Sequence, residues 1–174
     1  TTGLIAEQYL TKKARKKIDQ ILNGQSLAIA STWMDEIRSD SAYDHTHDWH
    51  WVTIPDGSTY SQSAKNPKGD IIETIERLIK ELKSKKLSAQ QEAAHLKMLV
   101  HLIGDIHQPL HVGRGDDRGG NEIRVTWFGQ NSNLHRVWDS DMIDDSKLSY
   151  TELAASLDKP GNKQIESWQN SSAN

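Results

Sequence analysis

The sequence predicts a mainly α fold: a single-domain helical bundle of 174 residues with one long loop and one short β stretch. Three observations lead to this prediction. Apolar residues recur at helical intervals in two long segments, residues 70–84 and 88–108. Residues that commonly cap helices, such as Thr11, stand immediately before several predicted helices. Apolar and polar residues alternate, as in a strand, over one short segment, residues 121–128.

The first third of the chain is predicted to form three short helices. One covers residues 4–9, a second runs from its cap at Thr11 to the Asn23-Gly24 stop signal, and a third covers residues 26–39. Residues 40–66 are rich in Asp, His, Ser, Gly and Pro and show no helical period. We therefore predict a long loop there.

Two longer helices are predicted in the middle of the chain. The first, residues 70–84, carries a stripe of Ile and Leu at helical spacing. The second begins with a capping box between Ser88 and Gln91 and ends near Gln108, because Pro109 cannot continue a helix. Together they are expected to form the centre of the bundle.

The last third of the chain is predicted to contain a strand and two helices. The strand, residues 121–128, turns Ile123 and Val125 to one side. One helix covers about residues 133–143, and Thr151 is predicted to cap the last one.

Composition excludes several classes of protein. The chain has 21 Lys and Arg against 24 Asp and Glu, a formal charge of −3, so it lacks the basic surplus of a simple nucleic-acid binder. No cysteine is present, which excludes a disulfide scaffold and a cysteine-ligated zinc finger. The longest nearly apolar run, residues 96–103, is too short to span a bilayer. The chain begins at Thr1 without a signal peptide, as a processed or trimmed form would.

Histidine and tryptophan are unusually frequent, with eight His and six Trp against one Phe. All eight histidines lie between His45 and His135, and this clustering indicates where the functional site is. His45 and His47 are predicted to be solvated loop residues. His95 and His107 are expected to lie in the core or behind the site, because their spacing turns them away from the face of His101.

Two predicted helices present a histidine and an aspartate four residues apart. His101 and Asp105 form one pair and His135 and Asp139 the other, and residues at this spacing share one helix face. His111 follows the Pro109 break, where the chain can fold back towards the same ion. A single pair of this kind is more often an ordinary surface pair. Two pairs with an added histidine instead predict a site for zinc or another borderline divalent metal, since no thiolate is available.

Five sequence blocks, spread over nearly the whole chain, carry a family resemblance. They are STWMD at 31–35, WHWV at 49–52, LVHLIGDIHQPLH at 99–111, GRGDDRGGNEIRV at 113–125 and NLHRVWD at 133–139. In this order they closely resemble the S1/P1 nucleases, zinc-dependent enzymes related to bacterial phospholipase C. The resemblance implies a helical fold of the phospholipase C/P1 nuclease type.

The resemblance also implies the metal ligands. Four residues match the ligands of one zinc and three match those of a second, with Asp105 matching a carboxylate that bridges to a third zinc in the family. The first four are Asp35, His50, His101 and Asp105, and the second three are His111, His135 and Asp139. The family binds its third zinc partly through an N-terminal Trp and a following His, which this chain lacks before Thr1, so the third site is expected to be incomplete here.

Substrate contacts are implied less directly. Arg38 matches an arginine that holds the scissile phosphate, the alternative being an ordinary surface cation paired with Asp35 or Asp40. Trp51 matches a ring that stacks on a base, the alternative being a core aromatic, and Asn121 matches a contact to the base edge. Thr53 replaces an Asp of well-studied fungal members, which puts base preference in doubt. Three further indoles are predicted to pack around the ligands: Trp33, Trp127 and Trp138.

The resemblance implies a zinc-dependent nuclease that cleaves single-stranded DNA and RNA to 5′-mononucleotides, with 3′-nucleotidase activity and no obligate protein partner. It also implies a secreted or periplasmic protein. Two other hypotheses stay open. One is a phospholipase C-like phosphodiesterase, against which the chain shows no apolar membrane-facing patch after His50. The other is a truncated metal-binding domain with little activity, favoured by a hydrophobic content of only 35%.

Overall fold

A computed structural model describes residues 1–171, and the chain is mainly helical with two small sheets. The helices α1–α10 are Thr2–Gln8, Lys12–Ile21, Leu27–Ala30, Trp33–Glu36, Ile71–Ser84, Ala89–Asp105, Leu134–Arg136, Met142–Asp145, Tyr150–Leu157 and Asn162–Asn170. The strands β1–β4 are Val52–Thr53, Val112–Gly113, Arg124–Trp127 and Gln130–Asn133. Short 3-10 helices cover Ile37–Ser39, Ser41–His50, Tyr60–Gln62 and Pro109–His111, and a π-helical turn covers Val137–Asp141.

The predicted helix over residues 26–39 is wrong as a single element. The chain turns at Ser31 and Thr32, so α3 and α4 are separate one-turn helices followed by a 3-10 turn. The predicted cap of α3 is confirmed, because the Ser26 side chain accepts a hydrogen bond from the amide of Ile29. Glu7 adds a second cap from α1, its carboxylate accepting the amide of Leu27 at 2.6 Å.

The predicted long loop over residues 40–66 is also corrected, because its first part is a ten-residue 3-10 helix, Ser41–His50. Asp40 caps this helix by accepting the amide of Ala42. Trp49, near its end, is 8% exposed, and its indole nitrogen donates to the carbonyl of Lys68. The buried indole therefore fixes a polar segment that has no apolar stripe of its own.

The centre of the bundle is the pair α5 and α6, as predicted. The buried Asp70 caps α5 by accepting the amides of Ile72 and Glu73, and Ser88 forms the predicted capping box at the start of α6. The main core lies between these helices, α4 and the 3-10 helix Ser41–His50. Its buried members are Met34, Trp49, Val52, Ile71, Ile75, Leu78, Met98 and Leu102.

A smaller apolar cluster joins the N-terminal helices to α6. Leu22, Leu27 and Ala30 are buried in it, with Ile18 and Leu96 among the residues packed against it. Gly3 lets α1 approach α3 closely, because a Cβ there would lie 2.2 Å from the carbonyl oxygen of Leu27. The two short helices α1 and α3 thus pack closely against each other, and both contact α6.

Both sheets are two-stranded. Parallel pairing of β1 with β2 sets Val52 opposite Val112, which brings the end of the Ser41–His50 helix beside His111. The predicted strand over residues 121–128 is confirmed for Arg124–Trp127, which form β3 with Val125 and Trp127 half-buried. Ile123, predicted to share their side, precedes the strand and is exposed. Strand β4, the partner of β3, was not predicted; Phe128 and Gly129, both at positive φ, form the hairpin turn between them.

The C-terminal part differs from the sequence prediction in detail. The predicted helix over 133–143 is present as α7, the π-helical turn and α8. The last predicted helix is capped by Ser149, two residues before Thr151, and α10 follows it unpredicted. None of the helices in residues 1–171 combines the length and apolar character needed to cross a membrane.

Candidate metal centre

A cleft of about 430 Å³ opens where the end of α6 meets three other segments: the Ser41–His50 helix, the loop after Pro109 and the helical turns after β4. Ten of the eleven site residues predicted from the sequence line it, and His101 lies directly behind them. The lining members are Asp35, Arg38, His50, Trp51, Thr53, Asp105, His111, Asn121, His135 and Asp139.

Asp35, His50 and His101 form the first donor group. One ligand atom from each lies within 4.8 Å of the others, a spacing that suits a shared metal ion. His50 and His101 are buried, whereas Asp35 is exposed at the cleft side. The group therefore combines two fixed imidazoles with one carboxylate open to solvent.

Backbone geometry selects the ligand atom of His101. Its Nδ1 lies 2.7 Å from the carbonyl oxygen of Ser31, which can only accept a hydrogen bond. Nδ1 therefore carries a proton, and Nε2, which lies 3.0 Å from Asp105 Oδ2, is the nitrogen available to a metal ion when the ring is neutral.

His111, His135 and Asp139 form the second donor group, again with ligand atoms within 4.8 Å of one another. His135 is oriented as His101 is, since its Nδ1 donates to the carbonyl oxygen of Gly119 at 2.9 Å. Gly119 has φ +60°, and a Cβ there would lie 2.7 Å from the carbonyl oxygen of Leu110. Only glycine fits this turn without strain, so the residue is needed to aim His135.

Asp105 lies between the two donor groups and offers one carboxylate oxygen to each. Its Oδ2 is 2.8 Å from His50 Nδ1 and 3.0 Å from His101 Nε2. Its Oδ1 is 3.9 Å from His111 Nδ1. Burial alone would raise the pKa of Asp105, but the hydrogen bonds from His101 and His50 hold this pKa well below its ordinary value. Asp105 is therefore an anion at neutral pH.

The imidazoles of His101 and His111 differ in their preferred charge state. Burial lowers the pKa of His101, yet the hydrogen bond and charge of Asp105 outweigh burial and raise this pKa overall. For His111, burial prevails over the attraction of Asp105 and Asp139, and its pKa falls below the ordinary value. His111 is thus neutral near pH 7, the state in which imidazole binds a metal.

The donor chemistry fits a borderline divalent metal such as zinc. His50 Nε2 and His111 Nδ1 are buried and lack a hydrogen-bond partner among the described residues. Buried polar atoms without partners are costly, and a metal ion at each group would complete their coordination. Imidazole nitrogens combined with carboxylate oxygens, without thiolate, are compatible with zinc and with other divalent transition metals.

Comparison with known proteins agrees with this geometry. A protein-family model described as S1/P1 Nuclease matches residues 1–174. The chain belongs to the S1/P1 nuclease family. It is 31% identical to Endonuclease 3 of Arabidopsis thaliana, over 98% of this chain and 64% of the relative. It is 30% identical to Nuclease S1 of Aspergillus oryzae and 31% identical to Nuclease P1 of Penicillium citrinum.

These two fungal alignments cover 87% and 82% of this chain, and 55% of each fungal protein. The chain thus spans between half and two thirds of the length of these three relatives. Both donor groups and Asp105 lie within the residues matched by the family model.

The predicted substrate residues lie at the cleft with different surroundings. Arg38 Nε is 3.4 Å from Asp35, so the cation sits directly beside the first donor group. Trp51 is 36% exposed and contacts His47 edge-on, which makes it a cleft aromatic and rules out the core alternative. Thr53 and Asn121 are exposed on the cleft lining, and the Asn121 amide donates to the carbonyl of Arg118.

One packing prediction is corrected, because His107 is exposed and is not a core residue. Trp138 is 44% exposed, and its packing around the ligands stays a prediction. Trp33 and Trp127 are half-buried, and Trp33 packs edge-on against Tyr43. The predicted solvation of His45 and His47 is confirmed. The half-buried His95 lies 3.4 Å from Glu81, away from the cleft.

Sequence reasoning missed four contributors to the site. Arg114 and Arg118 line the cleft as extra cations, and their place in the GRGDDRGG block was the available signal. The Ser31 and Gly119 carbonyls orient His101 and His135, but backbone acceptors leave no residue-type signal in a sequence. Arg118 also adopts φ +53°, a conformation that is strained for a residue with a side chain.

Proposed function

We propose that the protein is a zinc-dependent phosphodiester hydrolase that cleaves single-stranded DNA and RNA to 5′-mononucleotides, with 3′-nucleotidase activity. The observation that carries the proposal is the placement of Asp105, which offers one oxygen to each of two imidazole-rich donor groups inside a cleft lined by arginines. Two metal sites within one cleft are the arrangement that in-line phosphoryl displacement uses.

Zinc would be held by the two donor groups together with Asp105. When bound there, zinc supplies Lewis-acid activation of a water nucleophile and of the phosphoryl oxygens at neutral pH. The protein's own contribution is orientation. The Ser31 and Gly119 carbonyls hold the imidazoles of His101 and His135 in one tautomer, and this preorganises both groups before a substrate arrives.

The arginines of the cleft complement an anionic substrate. Arg38 lies beside the first donor group, where its guanidinium can share charge with a phosphoryl oxygen once the metal neutralises Asp35. Arg118 has no carboxylate within 4 Å among the described residues, so its positive charge is available to a flanking phosphate. A net charge of −3 for the metal-free chain is no obstacle, because two zinc ions bring the formal charge to +1.

Preference for single strands follows from the exposed ring of Trp51. An unpaired base can stack on an exposed indole, whereas a base inside a duplex is already stacked. Asn121 and Thr53 lie on the same cleft lining, where side-chain amide and hydroxyl groups can contact the edge of a stacked base. Export from the cell remains a prediction from the family resemblance.

The test is hydrolysis of single-stranded DNA and RNA by zinc-loaded protein, with metal content measured on the same samples. Asp105→Ala should lower kcat/KM by about 10³-fold or more, because it disturbs metal binding as well as orientation. Arg38→Ala should lower it by about 10–10² and leave the zinc content unchanged. Asp144→Ala and Arg124→Ala, exposed residues outside the cleft, are the matched controls.

Two outcomes would contradict the proposal. Equal losses for Asp105→Ala and Arg38→Ala with full zinc content would show that Asp105 does not serve the metals. Absence of hydrolysis of any single-stranded substrate by zinc-loaded protein, with turnover of a phosphatidylcholine substrate instead, would place the chain functionally with the phospholipases.

A further inference from the structure

The outward side of α2 concentrates positive charge. The ten residues Lys12–Ile21 contain five cations and one acid, Asp19, although the whole chain carries a net charge of −3. The cations occupy five of six consecutive positions: Lys12, Lys13, Arg15, Lys16 and Lys17. Three of these five, together with Asp19 and Gln20, line a shallow groove of about 430 Å³ that is separate from the metal cleft.

Most of these cations form no ion pair with the described residues. Lys17 pairs with Glu92 of α6 at 3.0 Å, and Arg15 donates to the backbone carbonyl of Glu7. Lys12, Lys13 and Lys16 are exposed and have no carboxylate within 4 Å in the described part of the chain. Their positive charges are therefore directed to solvent.

The arrangement also works against the helix that carries it. Lys12 and Lys13 lie in the first turn, where the helix dipole is positive and favours acidic residues. Lys12 with Lys16, and Lys13 with Lys17, are like charges at i and i+4, which repel each other. These lysines destabilise α2 and gain no packing in return. Unfavourable local sequence choices of this kind often mark functional residues, so we look for a function for these lysines.

We propose that the exposed lysines of α2 form a docking surface for the phosphate backbone of single-stranded nucleic acid. The proposal rests on the nuclease function proposed above. Closely spaced cations on one face match the repeated charges of a polyphosphate chain, and binding would release its counterions. The apolar residues of α2, Ile18 and Ile21, pack against the neighbouring cluster. This leaves the outward side without the apolar residues that a membrane-surface helix inserts into lipid.

The position of α2 sets the substrate length that would use this surface. Lys17 meets α6 at Glu92, which is 13 residues before Asp105. At 1.5 Å per residue, this separation is about 20 Å along the helix axis. A dinucleotide in the metal cleft cannot reach so far, whereas an oligonucleotide of about 30 residues can occupy both places. The docking surface is therefore expected to act on polymers and to leave dinucleotide hydrolysis unchanged.

The experiment compares two triple variants of the zinc-loaded protein. The first, K12Q/K13Q/K16Q, removes the docking surface, and the second, K80Q/K83Q/K159Q, removes three exposed lysines elsewhere. For the first variant, KM for an oligonucleotide of about 30 residues should rise about tenfold, while kcat and dinucleotide kinetics stay unchanged. The slope of log affinity against log salt should fall by about 2, at roughly 0.7 per lost phosphate contact. The second variant should match the unmodified protein.

Direct binding gives a second readout. Anisotropy of a labelled, hydrolysis-resistant phosphorothioate oligonucleotide should show the same loss of affinity in the first variant. The melting temperature of K12Q/K13Q/K16Q should stay unchanged or rise, since the repulsion between lysines within α2 is removed. Equal KM values and salt slopes for all three proteins would overturn the proposal, as would loss of binding to phosphatidylglycerol vesicles with unchanged oligonucleotide binding. If none of the proteins hydrolyses the dinucleotide, the proposed nuclease function itself fails, which is a different result.

Discussion

The two donor groups differ in how much packed structure supports them. The first donor group borders the main core: His101 lies on α6 next to the fully buried Leu102, and His50 follows the buried Trp49. The second donor group takes His135 and Asp139 from the helical turns after β4. Within residues 114–171, the apolar side chains that are buried are Val137 and Ala154.

Exposure of apolar side chains shows the same difference. Nine large apolar residues within residues 114–171 are more than one-third exposed, against four within residues 1–113. The nine are Ile123, Phe128, Trp138, Met142, Ile143, Leu148, Tyr150, Leu157 and Trp168. We infer that the first donor group is positioned by the fold, whereas metal binding itself contributes to the order of the segment that carries the second.

Removal of metal should give the largest effect and test this comparison directly. Treatment with EDTA should lower the melting temperature by about 10 °C or more, since several kcal/mol of ligand binding are lost. Hydrogen exchange should then accelerate far more in residues 120–145 than in α5 and α6. Restoring zinc should reverse both changes. An unchanged melting temperature, or equal loss of protection in both regions, would break the comparison.

Truncation of buried side chains should destabilise the main core more than the C-terminal segment, although by less than removal of metal does. Leu102→Ala should destabilise the zinc-loaded protein by about 2–5 kcal/mol, because Leu102 is fully enclosed by the main core. Val137→Ala removes two methyl groups from a thinly packed segment and should lose only about 1–2 kcal/mol. Urea unfolding of both variants measures the difference. Equal losses would mean that the C-terminal segment packs as tightly as the core.

Gly119→Ala tests the backbone that orients the second donor group. A Cβ at this position would clash with the Leu110 carbonyl, so the loop must shift and His135 loses its hydrogen bond. Zinc affinity of the second site should fall by about 10–100-fold, as measured by competition with a chromophoric chelator.

The matched control is Gly129→Ala, because Gly129 has a similar positive φ of +83° but open space around its Cβ position. It should lower stability slightly through backbone strain and leave zinc affinity unchanged. Equal effects of both substitutions on zinc affinity would remove the special role of Gly119.

Tyr60→Phe should give the smallest change in the free energy of unfolding. Because Tyr60 packs against the main core and not in the metal cleft, this change should not depend on zinc. Tyr60 donates to the buried Asp70 at 3.0 Å, and burial together with this carboxylate raises the pKa of Tyr60 to about 12. The fold thus favours the protonated tyrosine, so its stabilisation is complete below about pH 10 and is lost as pH rises towards 12.

Loss of this hydrogen bond should lower stability by about 1 kcal/mol near pH 8, and the difference should narrow above pH 10. Urea unfolding of both proteins near pH 8 and above pH 10 measures this stability difference. A constant difference across this range would show that the Tyr60–Asp70 contact does not respond to ionisation.

The helical centre and the donor residues were accessible from the sequence because each leaves a residue-type signal. The apolar stripe of α5 and the Ser88 capping box of α6 predict this helix pair from the sequence. The His and Asp residues at fixed spacing indicated metal chemistry, and the five sequence blocks indicated the family. These features are local, so a single sequence suffices to find them.

The parts that escaped prediction depend on tertiary contacts. The Ser41–His50 helix is fixed by the buried indole of Trp49, and its polar sequence gives no period to detect. The π-helical turn at Val137–Asp141 replaces the simple i,i+4 geometry expected for His135 and Asp139, although both still join one donor group. Strand β4, with the polar sequence QNSN, is defined only by its pairing with β3.

The acceptors that orient His101 and His135 are main-chain carbonyls, at Ser31 and Gly119. A side-chain substitution at position 31 cannot delete its acceptor, because every amino acid carries the same carbonyl group. The tautomer of His101 is in this respect protected from mutation of Ser31, whereas a Cβ added at Gly119 would displace the carbonyl that orients His135. On the proposed function, substitutions of the exposed cleft residues Trp51, Thr53 and Asn121 would change the contacts to a base and leave the Ser31 carbonyl, and with it the orientation of His101, unchanged.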